Sequence, residues 1–175
     1  MSDQARILIE NTSLAKSIPS GDLVTLFSRF GPSALPEGFD RLPHKKRPPW
    51  RSSPRSSLQV NVVASRHISR NGPALGNAAS GQGPLPKDNW LRFQARTSVG
   101  LPLPADFDIH WRVTNTDEEA TKANCLRGGF EDCNDGPSRW ESLKYRGVHT
   151  VEAFIVRRRD QMLMAQSAPF YVVIE

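Results

Sequence analysis

Hydrophobic and polar residues alternate with a period of two along most of the chain after residue 57. This alternation is typical of strands that bury one face against a core and leave the other face polar. It recurs in short runs that prolines and glycines separate, with no long helix between them, and this rhythm predicts an antiparallel β-sandwich. The apolar positions are Leu58, Val60, Val62 and Ala64, then Leu91, Phe93 and Ala95, then Phe107, Ile109, Trp111 and Val113, and finally Phe170, Val172 and Ile174.

Two segments between these runs lack the alternation. Residues 68–89 are rich in glycine and small side chains, which predicts a long loop. Residues 118–123 follow the strand that contains Trp111, and their composition favours one turn of helix.

The chain before residue 58 has a different pattern. Apolar residues recur there at helical spacing behind Ser20 and Asp22, two residue types that cap helices, and a Gly-Pro pair ends the segment. A weaker helical pattern covers residues 5–18. Neither piece has enough apolar residues for a core of its own, so we expect both to dock on something else. The apolar residues of the stronger helix are Leu23, Leu26, Phe27 and Phe30.

Prolines in residues 36–57 exclude helix and central strand, so this segment is expected to run extended over a surface. We therefore divide the chain into residues 1–57, a short helical arm with a basic, proline-rich linker, and residues 58–175, the sandwich, which is expected to fold alone. Limited proteolysis is expected to cut first between Arg41 and Arg55.

Residues 145–151 read Tyr-x-Gly-x-His-x-Val. Immunoglobulin-like sandwiches often enter a late strand through Asp-x-Gly-x-Tyr-x-Cys, in which the tyrosine bonds to upstream backbone. At the same spacing an imidazole N–H of His149 can make that bond, Val151 replaces the core cysteine, and Trp111 packs against it. This motif specifies the sandwich as immunoglobulin-like. The alternative is that His149 belongs to a binding site.

Charge is unevenly distributed along the chain. The net charge is +5, but no acidic residue lies between Asp40 and Asp88, where nine basic residues lie, so the rest of the chain carries 5 − 9 = −4. A basic segment of this kind makes nucleic acid a second candidate partner, bound through residues 41–70.

No apolar run approaches the roughly 20 residues of a membrane span, so no membrane contact is expected. With only Cys125 and Cys133, the default interpretation is a cytoplasmic protein with reduced thiols, and a disulfide between them is the alternative.

Patterns of known active sites were sought and do not favour an enzyme. Asp106 and Asp108 alternate on a strand as magnesium ligands do, but no Gly-Ser turn or third carboxylate accompanies them. The spacing of Cys125 and Cys133 is not a zinc pattern. Neither a Gly-x-Ser-x-Gly elbow nor a glycine-rich phosphate loop occurs. We therefore predict no catalytic residue, no metal and no cofactor.

The more informative polar residues follow the strand that contains Trp111. Asn115 and Thr116 come directly after it, and Arg127-Gly128-Gly129 permits close backbone approach to a ligand or another chain. Arg139 and Glu141 lie on the next run. An Arg–Glu pair is often structural, and the alternative is a recognition face in which Arg127 or Arg139 pairs with phosphate.

The second half of the chain resembles the adenylyl/guanylyl cyclase and SMODS C-terminal sensor domain family. The resemblance covers roughly residues 85–175 and depends on six motifs. These are Trp-x-Val-x-Asn-Thr at residues 111–116, Leu-Arg-Gly at 126–128, Glu141, Tyr-x-Gly-x-His at 145–149, Val-Glu at 151–152 and Val-x-Ile at 172–174.

The resemblance implies a non-enzymatic sensor. Such domains usually lie at the C-terminus of a nucleotidyltransferase in bacterial anti-phage systems of the CBASS kind, and are thought to sense a ligand and regulate synthesis of a nucleotide messenger. It implies a nucleotide-like ligand and a nucleotidyltransferase partner in cis or in trans, so the chain is a stand-alone sensor, one part of a split gene, or a C-terminal fragment. The rival interpretation is a basic nucleic-acid-binding adaptor. The candidate ligand-binding residues are Asn115, Thr116, Arg127, Gly128, Arg139, Glu141, Tyr145 and His149.

Overall fold

The computed structural model describes residues 20–116 and 118–175. The helical pattern of residues 5–18 therefore lies outside the described residues. Two α-helices are described, α1 (Ser20–Phe30) and α2 (Glu118–Lys122), and two short 3-10 turns cover Gly31–Ala34 and Phe39–Arg41. The strands are β1 (Val60–His67), β2 (Ala74–Ala78), β3 (Trp90–Thr97), β4 (Phe107–Thr114), β5 (Phe130–Asp132), β6 (Ser138–Ser142), β7 (Gly147–Arg157), β8 (Met162–Gln166) and β9 (Phe170–Ile174).

The strands form two sheets. The first has the order β2-β1-β3-β6, and the second has the order β5-β4-β7-β8, with β9 pairing on the same side of β7 as β8. Every pairing between these strands is antiparallel. A mainly β protein of antiparallel sheets is therefore confirmed, while the immunoglobulin-like topology stays a prediction.

One expectation for the loops was wrong. Residues 68–89 were expected to form a loop throughout, but β2 lies within them and pairs with β1 from Ala64 to His67. The small side chains of β2 hide the strand from a hydrophobicity pattern, because sheet hydrogen bonds need only backbone groups. The helical turn expected at residues 118–123 is present as α2.

Strand β7 is buried on both faces. Its odd-numbered side chains, such as Val151 and Ile155, enter a core shared with Leu91 and Phe93 of the first sheet. Its even-numbered side chains point to the outer face of the second sheet, where Phe154 is fully buried. A strand covered on both faces has a nearly continuous apolar sequence, which explains the run from Val151 to Val156.

The outer face is covered by the chain that precedes β1. Helix α1 packs Val24 and Phe27 against Val148 of β7 and Val173 of β9. After the second 3-10 turn, residues 44–53, which we call the strap, cross the outer face without helix and end beside β8. Helix α1 and the strap both pack against the second sheet. The division of the chain at residue 57 therefore stays a prediction, which limited proteolysis between Arg41 and Arg55 tests.

The strap contacts the sheet along its length. In its middle, the indole of Trp50 stacks on His110 at 4.7 Å between ring centroids and meets the edge of Phe130 at 4.8 Å. At its end, the amide of Ser53 donates to the carbonyl of Leu163 at 2.9 Å. These contacts make the strap a third layer over the second sheet.

A buried ion pair lies under the strap. Arg112 of β4 and Glu152 of β7 are 5% and 2% exposed, and the guanidinium donates to both carboxylate oxygens at 2.8–3.0 Å. The same guanidinium lies 4.9 Å from the ring centroid of Phe154 and donates from Nη1 to the carbonyl of Lys46 at 2.6 Å. The Nζ of Lys45 lies 3.3 Å from the carboxylate of Glu152.

We predict that Glu152→Gln destabilises the fold by about 3–5 kcal/mol, because it leaves the guanidinium of Arg112 without a counter-charge in a buried place and leaves the ammonium of Lys45 only the carboxylate of Asp40, at 3.8 Å. Urea denaturation measures the loss. The matched control is Asp160→Asn, which breaks the ion pair of Asp160 with Arg157 near the surface and should leave the midpoint nearly unchanged. Equal midpoints for the two variants would contradict the structural role of the pair.

Candidate functional site

A cavity of about 240 Å³ lies between the two sheets at the end of β4. It contains five of the eight residues that the sequence singled out, namely Asn115, Arg127, Glu141, Tyr145 and His149. Thr116, Gly128 and Arg139 do not line it. Its remaining lining residues are four apolar members of the motifs, Val113, Val151, Val172 and Ile174, and five residues that the motifs did not indicate, Phe93, Cys125, Ser142, Leu143 and Lys144.

Asn115 holds residues 125–127, which form one wall of this cavity, against the end of β4. Its side-chain Nδ2 donates to the carbonyl of Cys125 at 3.0 Å, and its amide donates to the carbonyl of Arg127 at 3.3 Å. The hydroxyl of Thr116 donates to the carbonyl of Val148 and so ties the end of β4 to β7. Asn115 and Thr116 thus position the segment that follows β4, and only Asn115 reaches the cavity.

His149 makes a hydrogen bond to upstream backbone, as its motif predicted. Its Nε2 lies 2.8 Å from the carbonyl of Tyr145, which can only accept, so Nε2 carries the proton. The ring is 5% exposed and its side chain also lines the cavity. Gly147 between the two residues has a φ of 144°, a region that L side chains rarely adopt, which explains the glycine of the motif.

Four charged side chains beside the cavity form a closed network. Arg127 donates to Glu131 at 2.9 Å from Nε and to Glu141 at 2.7 Å from Nη1. Arg139 donates to Glu141 at 2.6 Å from Nε and to Glu131 from Nη2. Each arginine therefore contacts both carboxylates. The sequence singled out Arg127, Arg139 and Glu141, but Glu131 lies on the short strand β5 and carried no motif.

The network favours the charged forms of Arg127 and Glu141. Burial alone would raise the pKa of Glu141, but the hydrogen bond and charge of Arg127, with the charge of Arg139, lower it below its ordinary value of 4.5. Burial works against the charge of Arg127 as well, yet Glu141 and Glu131 raise the pKa of its guanidinium. Two cations and two anions leave the network neutral.

The guanidinium of Arg127 is nearly saturated. It makes four hydrogen bonds to the two carboxylates, and an arginine has five N–H groups. A phosphate that pairs with Arg127 through two parallel bonds must therefore displace Glu131 or Glu141.

Gly128 is approached by backbone from within the same chain. A Cβ at this position would lie 2.4 Å from the carbonyl oxygen of His44 and 2.9 Å from the Cα of Lys45. The carbonyl of Gly128 accepts from the amide of Lys46 at 2.8 Å. Gly128 thus belongs to the seat of the strap.

The two cysteines are free and have different neighbours. Cys125 lines the cavity, whereas Cys133 accepts a hydrogen bond from Nε1 of Trp111 at 3.3 Å. Burial raises the pKa of the Cys133 thiol. Across residues 20–116 and 118–175, no three His, Cys, Asp or Glu side chains come together as metal ligands, and no helix is long and apolar enough to cross a membrane.

Basic residues of the segment proposed for nucleic acid are partly neutralised. The side chain of Lys45 is 8% exposed and faces Glu152. Beyond that segment, Lys87 pairs with Glu119 at 2.8 Å and Arg92 pairs with Asp135 at 3.0 Å. Nucleic-acid binding through residues 41–70 gains no support from these contacts.

In a comparison with known families, the profile described as Adenylyl/Guanylyl and SMODS C-terminal sensor domain matches residues 40–175. The match includes the strap, both sheets and every residue that lines the cavity. No curated protein matches the chain.

We predict that His149→Ala destabilises the fold by about 1–3 kcal/mol, because it leaves the buried carbonyl of Tyr145 without its donor. Urea denaturation gives the value. An unchanged midpoint together with lost ligand binding would make His149 a site residue without a structural role.

A second prediction concerns acid stability. Because the folded pKa of Glu141 is depressed, its contribution is fully present above about pH 4.5 and is lost as pH falls through the folded pKa. Glu141→Gln should therefore be less stable than the wild type near neutral pH, and this difference should shrink in acid. Urea denaturation from about pH 7 to about pH 3 measures it. A difference that stays constant over this range would show that the charge of Glu141 does not stabilise the fold.

Proposed function

This chain belongs to the Adenylyl/Guanylyl and SMODS C-terminal sensor domain family, and from that premise we propose that it is a non-enzymatic regulatory domain. It binds a nucleotide-like ligand and controls a nucleotidyltransferase of a CBASS-like anti-phage signalling system. The enzyme is part of the same polypeptide or a separate chain.

The observation that carries this proposal is the gathering of five motif residues around one cavity. They come from the segment after β4, from β6, from the loop before β7 and from β7 itself, and only Tyr145 and His149 are brought together by a local motif. Side chains such as Phe93, Val113 and Ile174 give the cavity an apolar interior, while Asn115 and Arg127 supply polar groups at its wall. A mostly apolar space with a few placed polar groups is the common form of a small-molecule site.

The size of the cavity limits what enters it. Its 240 Å³ is below the roughly 300–1,000 Å³ of most ligand pockets, so part of a nucleotide occupies it and the remainder lies outside. The flat, largely apolar base suits the interior between Phe93 and Val151. The phosphate then lies at the wall formed by Arg127.

A bound ligand can rearrange the ion pairs of the network. A phosphate that takes two N–H groups of Arg127 replaces a carboxylate, and the released Glu131 or Glu141 keeps its bond to Arg139. Binding is therefore an exchange of anions around Arg127 in which no carboxylate is left without a cation. Such an exchange alters the loop that carries Arg127, and a sensor requires a change of this kind.

We predict that one or more nucleotides or cyclic oligonucleotides bind the wild-type chain in calorimetric titration, and that Arg127→Ala weakens binding about ten- to hundredfold. The variant should still unfold cooperatively, because Arg139 remains bonded to both carboxylates. The control is Arg157→Ala, which removes an arginine that does not line the cavity and should leave the affinity unchanged.

Three results would contradict the proposal. If none of the nucleotides or cyclic oligonucleotides binds, nucleotides are excluded as the ligand class of this domain. Equal affinity for wild type and Arg127→Ala moves the site elsewhere. If the chain binds single-stranded nucleic acid and no nucleotide, and that affinity falls steeply as the salt concentration rises, the basic adaptor is favoured.

A further inference from the structure

The cavity and the strap share the same two pieces of backbone. The side chains of Asn115 and Arg127 line the cavity. On the opposite side, the carbonyl of Asn115 lies 2.8 Å from Nε2 of His44, and the carbonyl of Gly128 accepts from the amide of Lys46 at 2.8 Å. The backbone carbonyls of Asn115 and of Gly128, the neighbour of Arg127, thus hold the strap.

We propose that the strap, residues 44–53, is the output of the sensor: occupancy of the cavity releases it from the second sheet, and a docked strap keeps the cavity in its closed form. This inference rests on the proposed function for its ligand but not for its geometry. It assigns a conformational role to a segment that the motifs do not include.

The direction of the change follows from bonds already made. In the docked state His44 and Lys46 are bonded to the segment between β4 and β5, and Ser53 is bonded to β8, so a ligand has these bonds to break and none of them to form. A ligand that draws Arg127 away from Glu131 or Glu141 moves the carbonyl of Gly128, and any such shift breaks the bond to Lys46. Release is therefore the change that a ligand can cause.

Release of the strap does not leave the pair of Arg112 and Glu152 without partners. The guanidinium loses its bond to the carbonyl of Lys46 but keeps its three bonds to the carboxylate. Lys45 leaves the carboxylate and returns to water, where its charge is solvated. The sheet can therefore persist while the strap exchanges between docked and released forms, as a switch requires.

Strap and cavity must then affect each other equally. If a ligand favours the released strap, a variant that releases the strap favours the open cavity, because coupling between two sites is reciprocal. This permits a test without knowledge of the ligand, in which the strap is displaced by mutation and the cavity is measured.

Two neighbouring glycines provide a matched pair of variants. In Gly128→Ala the new Cβ would meet the backbone of His44 at 2.4 Å, so the strap must move away. In Gly129→Ala the nearest atom is the flexible Cδ of Lys46, at 3.8 Å, so the strap can stay. The variants differ by one position and add the same methyl group.

Hydrogen exchange measures the strap, and alkylation of Cys125 by iodoacetamide measures the cavity wall. Both are recorded in the full chain with Cys133→Ser, which leaves Cys125 as the only thiol. Gly128→Ala should speed exchange of the Lys46 and Ser53 amides about tenfold or more and speed alkylation of Cys125 about threefold or more. Gly129→Ala should match the parent in both. Should Gly128→Ala fail to fold, His44→Ala, which removes the bond to Asn115, takes its place.

Each result decides the proposal. Fast strap exchange with unchanged alkylation of Cys125 would mean that the two are uncoupled, and a strap that stays protected in Gly128→Ala would overturn the docking on which the proposal depends. Faster exchange spread equally over β7 would mean general destabilisation and would overturn a local switch. Since neither readout uses a ligand, failure of nucleotide binding leaves the coupling standing, and failure of the coupling leaves the nucleotide proposal intact.

Discussion

The pair of Arg112 and Glu152 is the constraint on which the architecture depends. Two charges in the middle of a sheet cost several kcal/mol each to remove from water, and they are tolerated only when every remaining donor and acceptor is satisfied. The pair bonds to itself through two atoms on each side, and two aromatic rings and Gln166 of the same sheet add further contacts. The carbonyl of Lys46 and the ammonium of Lys45 come from outside the sheet. In the docked form the strap therefore completes the surroundings of the pair, while the bonds made within the sheet remain when the strap is released.

Much of the fold could be predicted from local pattern, and the limits have a physical cause. Strands β1 and β3 each bury one face, so their side chains alternate and their positions are visible in the sequence. Strands β4 and β9 keep the same alternation of apolar side chains toward the core, although Arg112 and Val173 are buried on the opposite face. Strand β2 contributes almost only backbone to its sheet, and its small residues show no alternation. The strap was expected to run over a surface, but which surface depends on bonds such as that from Arg112 to Lys46, 66 residues apart, which no local pattern contains.

The candidate site was visible to the extent that it coincides with motifs. Tyr145 and His149 were visible because a corner bond has a fixed spacing, and Arg127 and Glu141 because they flank a glycine-bearing turn. Val113 and Val172 lie within the motifs, but they also occupy ordinary inward positions of the strands, so nothing in the sequence separates the lining of the cavity from the rest of the core. Cys125 enters the cavity only because Asn115 folds its segment back, which is a tertiary contact.

A neutral, closed network is an unusual site for recognition of an anion. Its neutrality would make a sensor selective, because it does not attract every anion in solution. An exposed, unpaired arginine would attract any phosphate in solution, including inorganic phosphate and abundant nucleotides. Arg127 is already bonded to Glu131 and Glu141, so a ligand must supply enough other contacts to compensate for the displaced carboxylate. In the proposed function, those contacts come from the apolar interior, which a bare phosphate cannot fill. On that proposal, the network requires that base and phosphate bind together before the loop of Arg127 moves.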